Sequence, residues 1–294
     1  MAKIRTDLAL ETKELLTEEL PGVRVEETLK QGFLLTSVQV DTPEGSKALQ
    51  KPQGVYHTIN LAGVGRREDG AFPRAVNVLA DLIRPLLPPG KGPVLVVGLG
   101  NRAITPDAVG PKAADHTLVT RHLVAMAPDH FGSFRPVAAL AAGVLGTTGV
   151  ESGEIVQAVA AKISPQAVIA IDALCARRVE RLCATVQVSD TGISPGSGVG
   201  NHRFSLDKES IGVPVIALGV PTVVDGATLC ADLVEEAGGE PDLHALAKGT
   251  GASLFVTPQD IDQRVEDMAK VIGYAVTLAI QPELTLEDLE MLIE

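Results

Sequence analysis

Apolar and polar positions follow two different periods along this 294-residue chain, and the changes from one to the other mark its elements. Short runs rich in valine, isoleucine and leucine predict strands near Phe33 to Val40, Val55 to Leu61, Val94 to Val97, Val137 to Ala141, Val168 to Ile171, Thr185 to Val188, Val213 to Leu218 and Ser253 to Val256. Apolar residues recurring every three or four positions predict helices at Phe72 to Leu86, Pro106 to Ala125, Gly153 to Lys162, Gly226 to Glu236, Pro258 to Ala279 and Leu286 to Ile293. Strands alternating with helices build an α/β fold, here a largely parallel twisted sheet flanked by helices on both faces. Val94 to Val97 and Val168 to Ile171 have no polar face, so both their sides are expected to be covered and they belong in the middle of the sheet. The first two strands read as an antiparallel pair, and Pro85, Pro88, Pro89 and Gly90 break the chain before the parallel part begins.

Composition narrows the function. With no Trp, two Tyr and six Phe, the core must be aliphatic, and stacking of bases on aromatic rings is not expected. A formal charge of −12 argues against direct nucleic-acid contact or an anionic-membrane surface, both of which draw on clustered Lys and Arg. Cys175, Cys183 and Cys230 are odd in number and lack Cys-x-x-Cys spacing, which fits free thiols in a reducing compartment. There is no charged-then-apolar leader and no uncharged apolar run of about 18 residues, so the expected location is cytoplasmic, with no membrane partner.

The chemistry-bearing positions gather at strand ends. Val94 to Val97 leads through Gly98-Leu99-Gly100-Asn101 to Thr105-Pro106-Asp107, and Val168 to Ile171 runs into Asp172. In open sheets ligands bind beyond the carboxyl ends of the strands. Two carboxyls meeting there would repel, raising the pKa of one and leaving the other ionised, the arrangement an acid–base pair needs to activate water on a peptide carbonyl. A plainer reading of the first has Thr105 capping a helix, Pro106 at its first position and Asp107 complementing its dipole. Asp172 resists that reading, because Ala173-Leu174 is expected to open the next helix and leave its carboxylate in the crevice.

Several other motifs are weaker. Gly98-Leu-Gly-Asn-Arg-Ala103 satisfies the loose dinucleotide fingerprint, but its helix starts late and the next strand ends without an acidic residue for a ribose; the glycines are better read as a tight turn with close backbone approach. Asp190-Thr-Gly192 invites comparison with pepsin-like proteases, whose all-β fold this α/β chain does not share. The glycine-rich stretch from Gly192 to Asn201, including Gly196 and Gly198, is a flap or substrate edge, or a plain connection. Asp225 caps the next helix or assists the site. The six histidines lack metal-ligand spacing, and neither a nucleophile elbow nor a Walker loop is present, so no cofactor or metal is expected.

Arg5-Thr-Asp-Leu-Ala9, Gly98-Leu-Gly-Asn101 with Thr105-Pro-Asp-Ala108, Val119-Thr-Arg-His-Leu123, Phe134-Arg-Pro-Val137, Ala170-Ile-Asp-Ala-Leu174, Ser189-Asp-Thr-Gly-Ile193, Pro195-Gly-Ser-Gly-Val-Gly-Asn201 and Gly212 to Asp225 together resemble the germination protease family of spore-forming bacteria. The resemblance implies an atypical aspartic peptidase whose fold is like that of hydrogenase-maturation proteases, with an added N-terminal antiparallel strand pair. It places the catalytic pair on Asp107 and Asp172. It further implies a self-processing zymogen, with a pro-segment of residues 1–7, a junction at Asp7-Leu8 and a single peptidase domain over residues 8–294. Small acid-soluble spore proteins would be the substrates, in the spore core, and the assembly a homotetramer for which the aliphatic C-terminal helices are natural contacts. Gly98, Gly100, Asn101, Asp190, Gly196, Gly198 and Asp225 are supporting or substrate-loop positions, with backbone N–H groups of the Gly98–Asn101 or Gly196–Gly200 loop available to an oxyanion. Two rivals stand beside this reading: a metal-dependent maturation-type peptidase on the same fold, and a binder of spore proteins that cleaves nothing.

Overall fold

In a computed structural model that describes residues 4–16, 20–194, 205–249 and 254–293, the strands are β1 (Val23–Lys30), β2 (Phe33–Val40), β3 (Gly54–Asn60), β4 (Val94–Leu99), β5 (Val137–Gly143), β6 (Ala167–Ala176), β7 (Thr185–Ser189), β8 (Val215–Asp225) and β9 (Phe255–Val256). They make one sheet in the order β1-β2-β3-β7-β8-β6-β4-β5, with β9 added to β8. β5, β4, β6 and β8 run parallel, and β2 and β3 are the antiparallel pair expected from the sequence. The antiparallel half is larger than that pair: β1 joins outside β2, and β7 links β3 to β8 antiparallel to both.

Alternate residues of the central strands serve two cores. Val94, Val96, Ile169 and Ile171 pack with the helices Ala71–Ile83, Val109–Asp115 and Ile261–Ile280. Leu95, Val97, Leu99, Val168 and Ala170 pack on the other face with the helix Ser152–Ile163. This is why those runs carry no polar alternation. The Ile261–Ile280 helix is buried at every position from Val271 to Ile280, so its aliphatic surface belongs to the core of the subunit and is not free to form a contact between subunits. Met291 and Leu292 in the last helix, Leu286–Ile293, stay exposed.

The stretch from Pro106 to Ala125 is not one helix. A 3₁₀ turn (Thr105–Asp107) is followed by the Val109–Asp115 helix and, after a break, by Arg121–Met126. Tertiary hydrogen bonds make the break: Leu118 N–H donates to Thr277 Oγ1 at 3.0 Å, and Thr120 N–H donates to the Val137 carbonyl at 3.1 Å. The strand expected over Val213 to Leu218 runs on as β8 through Pro221 to Asp225. β7 is paired with β8 only as far as Gly219, so Pro221 faces no ladder on that side that would need its missing N–H, while its carbonyl accepts from Cys183 N–H at 2.7 Å.

Candidate active site

Backbone packing without side chains positions Asp107. A Cβ on Gly98 would stand 2.2 Å from the Gly110 carbonyl oxygen, and one on Gly110 would stand 2.4 Å from the Ile171 carbonyl oxygen. The helix that follows Asp107 therefore lies directly on β4 and β6. Gly100, at φ +109°, turns the chain out of β4, and Asn101 N–H donates to Asp107 Oδ2 at 2.7 Å. Thr105 does not cap a helix: its hydroxyl donates to Asp262 Oδ1 at 2.8 Å, tying the turn to the start of the Ile261–Ile280 helix. The Asn101 amide, engaged by Asp107, is not free for an oxyanion.

Asp172 does not end a strand. β6 continues to Ala176 because β8 keeps pairing with it that far, and no helix opens at Ala173. β4 pairs with β6 only up to Ile171, so residues 172–176 have an open edge on that side. Alternate N–H groups along this edge go to carboxylates. Ala173 N–H donates to Asp172 Oδ1 (2.9 Å), Cys175 N–H to Asp7 Oδ2 (2.8 Å) and Arg177 N–H to Glu11 Oε2 (2.6 Å).

At 5% exposure Asp172 is largely buried. Burial raises its pKa well above the ordinary 3.8, and the charge of Asp107 and then that of Asp7 push the same way. Asp107 is also raised, by burial, against the opposing effect of the Asn101 N–H. The two carboxyls are electrostatic neighbours. Asp172, the more buried, is raised the more strongly, although each carboxyl accepts one backbone N–H, from Ala173 and from Asn101 respectively.

A cavity of about 660 Å³ opens over β7, β8 and the end of β6. Neither Asp107 nor Asp172 lines it. Gln187 and Gly219 do, and in the sheet register Gln187, Gly219 and Asp172 form one row across β7, β8 and β6. Neighbours in register share a face, so Asp172 points to the cavity side of the sheet. Residues 4–7 lie along the rim. Asp7 N–H donates to the Cys175 carbonyl at 2.9 Å, and Leu8 is fully buried with Leu174, Ala176, Leu182 and Val224.

The remaining positions named from sequence separate into different roles. Asp190 Oδ1 accepts from Val55 N–H at 2.9 Å and fastens the start of β3. Asp225 caps the Gly226–Glu236 helix through Thr228 N–H at 3.0 Å and also pairs with Arg5 at 3.4 Å, so it holds the N-terminal segment as well. Gly196 and Gly198 lie outside the described residues. Cys175, Cys183 and Cys230 are free thiols. Among the described residues no group of three or more His, Cys, Asp or Glu is arranged to hold a metal, and no helix is long and apolar enough to cross a membrane. Sequence reasoning missed Glu11, which is fully buried and bonded to the amides of Arg177 and Arg178, and Lys51, whose ammonium meets the carbonyl of Asp7. Glu11 reads as one polar position of a short helix and Lys51 as a loop lysine, so no local signal marks either.

A profile described as germination protease matches residues 3–237. The germination protease of Clostridium perfringens strain SM101 is 41% identical over 98% of both chains. That of Caldanaerobacter subterraneus subsp. tengcongensis is 43% identical over 99% of this chain and 98% of its own, and that of Priestia megaterium 35% identical over 97% and 95%. Among solved structures, the NiFe hydrogenase maturation protease HycI from Thermococcus kodakarensis KOD1 aligns with 68% of this chain and 98% of its own at a TM-score of 0.37 and 20% identity.

Proposed function

The chain belongs to the germination protease family, and on that footing we propose that it is an endopeptidase that opens small acid-soluble spore proteins with water activated between Asp107 and Asp172. It acts in the spore core as a homotetramer, and it is made as a zymogen that cuts its own Asp7-Leu8 bond. One observation supports this above the others: two carboxyls are neighbours at the open edge of β6, and the more buried of them is pushed well above the usual carboxylate range by burial and by the charge of the other.

Division of labour follows from their surroundings. Asp107, the less strongly raised of the two, takes a proton from water as the water oxygen bonds to the scissile carbonyl carbon. Asp172 enters protonated, donates a hydrogen bond to the carbonyl, and gives its proton to the leaving amine as the C–N bond breaks. The pair titrates as a unit. Activity then requires a pH above the lower and below the upper of two macroscopic pKa values. Glu before an apolar residue is the substrate sequence that matches the chain's own Asp7-Leu8.

Intact mass after incubating wild type, Asp107→Asn and Asp172→Asn at about pH 5.5, with and without chelator, tests this. Loss of residues 1–7 in wild type alone, indifferent to chelator, is the expected result. Cleavage in either variant removes that aspartate from the mechanism. Cleavage stopped by chelator and restored by one metal selects the metal-dependent peptidase, and no cleavage of chain or spore protein selects the binder.

A further inference from the structure

The Asp7-Leu8 bond is held by more than the edge of β6. Asp7 Oδ2 goes to the Cys175 amide, and the Asp7 carbonyl oxygen accepts from Lys51 Nζ at 2.7 Å. The turn that presents Lys51 is fixed on both sides. Gln50 takes a left-handed conformation at φ 53° that ends the Pro43–Leu49 helix, Lys51 N–H donates to the Ser46 carbonyl, and Ser46 Oγ donates back to the Lys51 carbonyl at 2.6 Å. One residue further, the Tyr56 hydroxyl donates to the Pro52 carbonyl at 2.9 Å. Lys51, Pro52 and Tyr56 all line the cavity beside Asp172.

We propose that Lys51 is a catalytic residue of self-cleavage, holding the carbonyl oxygen of Asp7 and balancing the negative charge that forms there when water adds. The inference rests on the reading of Asp7-Leu8 as the bond cut by the aspartate pair. In the step, the water oxygen bonds to the Asp7 carbonyl carbon, and one water proton passes to the ionised carboxylate. The carbonyl π electrons move onto the oxygen that faces Lys51. Collapse of the tetrahedral intermediate breaks the bond to the Leu8 nitrogen, which leaves with the proton of the second carboxyl. Lys51 neither gains nor loses a proton. It takes the place of the backbone amides expected from sequence, of which that of Asn101 is engaged by Asp107. A positive charge in contact with the developing oxyanion strengthens as the transition state is approached, whereas the same contact with a neutral carbonyl is weak.

The test follows the first-order loss of residues 1–7 by intact mass in full-length wild type, Lys51→Met, Lys51→Arg and Asp172→Asn, with hydrogen exchange at the Cys175 amide as the measure of docking. Removal of one oxyanion donor typically costs about 10²–10³-fold in rate. Lys51→Met is expected to slow cleavage by about that factor with Cys175 still protected, and Lys51→Arg, which keeps the charge, to stay within about tenfold of wild type. Lys51→Met cutting at the wild-type rate overturns the proposal. So does a slowed Lys51→Met in which Cys175 has lost protection, which would make Lys51 an anchor only. Should Lys51→Met fail to fold, Lys51→Arg slowed as severely as the methionine variant is predicted to be, with Cys175 protected, overturns it equally. Continued cleavage in Asp172→Asn overturns the aspartate reading while leaving the role of Lys51 standing, and an uncut wild type overturns both.

Discussion

Replacing Gly100 by alanine should disable the site by moving Asp107. A Cβ at position 100 would stand 2.1 Å from the Asp107 carbonyl oxygen and 3.0 Å from its Oδ1, whereas ordinary contacts begin at 3.4 Å. The Asp107 turn must therefore withdraw by about 1 Å, and a displacement of that size at a reacting group costs about 10²-fold in rate. Stability falls too. Holding alanine at φ +109° costs about 1–3 kcal/mol, and overpacking against backbone adds about 1–3 kcal/mol. Together these lower the melting temperature by an amount on the order of 10 °C. Gly146→Ala is the control: that glycine has no positive φ and nothing within 4 Å of the added carbon. Thermal unfolding and the rate of N-terminal loss, read side by side, check both effects. Gly100→Ala melting within about 2 °C of wild type and processing at its rate would refute the geometric argument.

Two further outcomes follow from other groups. Burial raises the pKa of Asp172 in the folded protein, whereas an unfolded carboxyl loses its proton near 3.8. Wild-type stability relative to the protonated state is thus full below that value and is lost as pH rises toward the folded pKa. Asp172→Asn should therefore melt higher than wild type at about pH 7.5, with the gap closing toward about pH 4; a gap that does not change with pH would contradict the burial argument. Glu11→Ala strips a fully buried carboxylate from the Arg177 and Arg178 amides and from Arg181 at 2.9 Å, so it should cost about 3–5 kcal/mol and lower the melting temperature on the order of 10 °C, with a scan unchanged from wild type counting against it.

Legibility in the sequence tracked how local each determinant is. β4 and the start of β6 are plain as apolar runs because both faces meet helices. β1 was invisible: Arg24, Glu26, Glu27 and Lys30 interrupt it, it lies at the sheet margin with nearly every position exposed, and only its pairing with β2 makes it a strand. Asp172 was found as a carboxylate at the end of an apolar run, yet its strand goes on for four more residues because carboxylates of residues 7 and 11 satisfy the open edge, and no local window contains those partners. The surroundings of Asp107 differ from the sequence reading. The helix pattern after it is real, but Leu118 and Thr120 leave the helix for hydrogen bonds to Thr277 and Val137. Asp225 was legible as a cap because that bond spans three residues.

The hydrogen bond from Thr105 to Asp262 joins positions 157 residues apart. During synthesis the turn bearing Asp107 emerges from the ribosome long before the helix that anchors it, and the same late helix completes the larger core. Contacts of such separation form last. Under the proposed self-processing, a nascent chain that has displayed both aspartates and the junction is still without the fixed geometry to cut itself, and chains stalled before Ile261 has emerged are expected to keep their first seven residues. Timing of translation, as well as chemistry, would then protect the unfinished polypeptide.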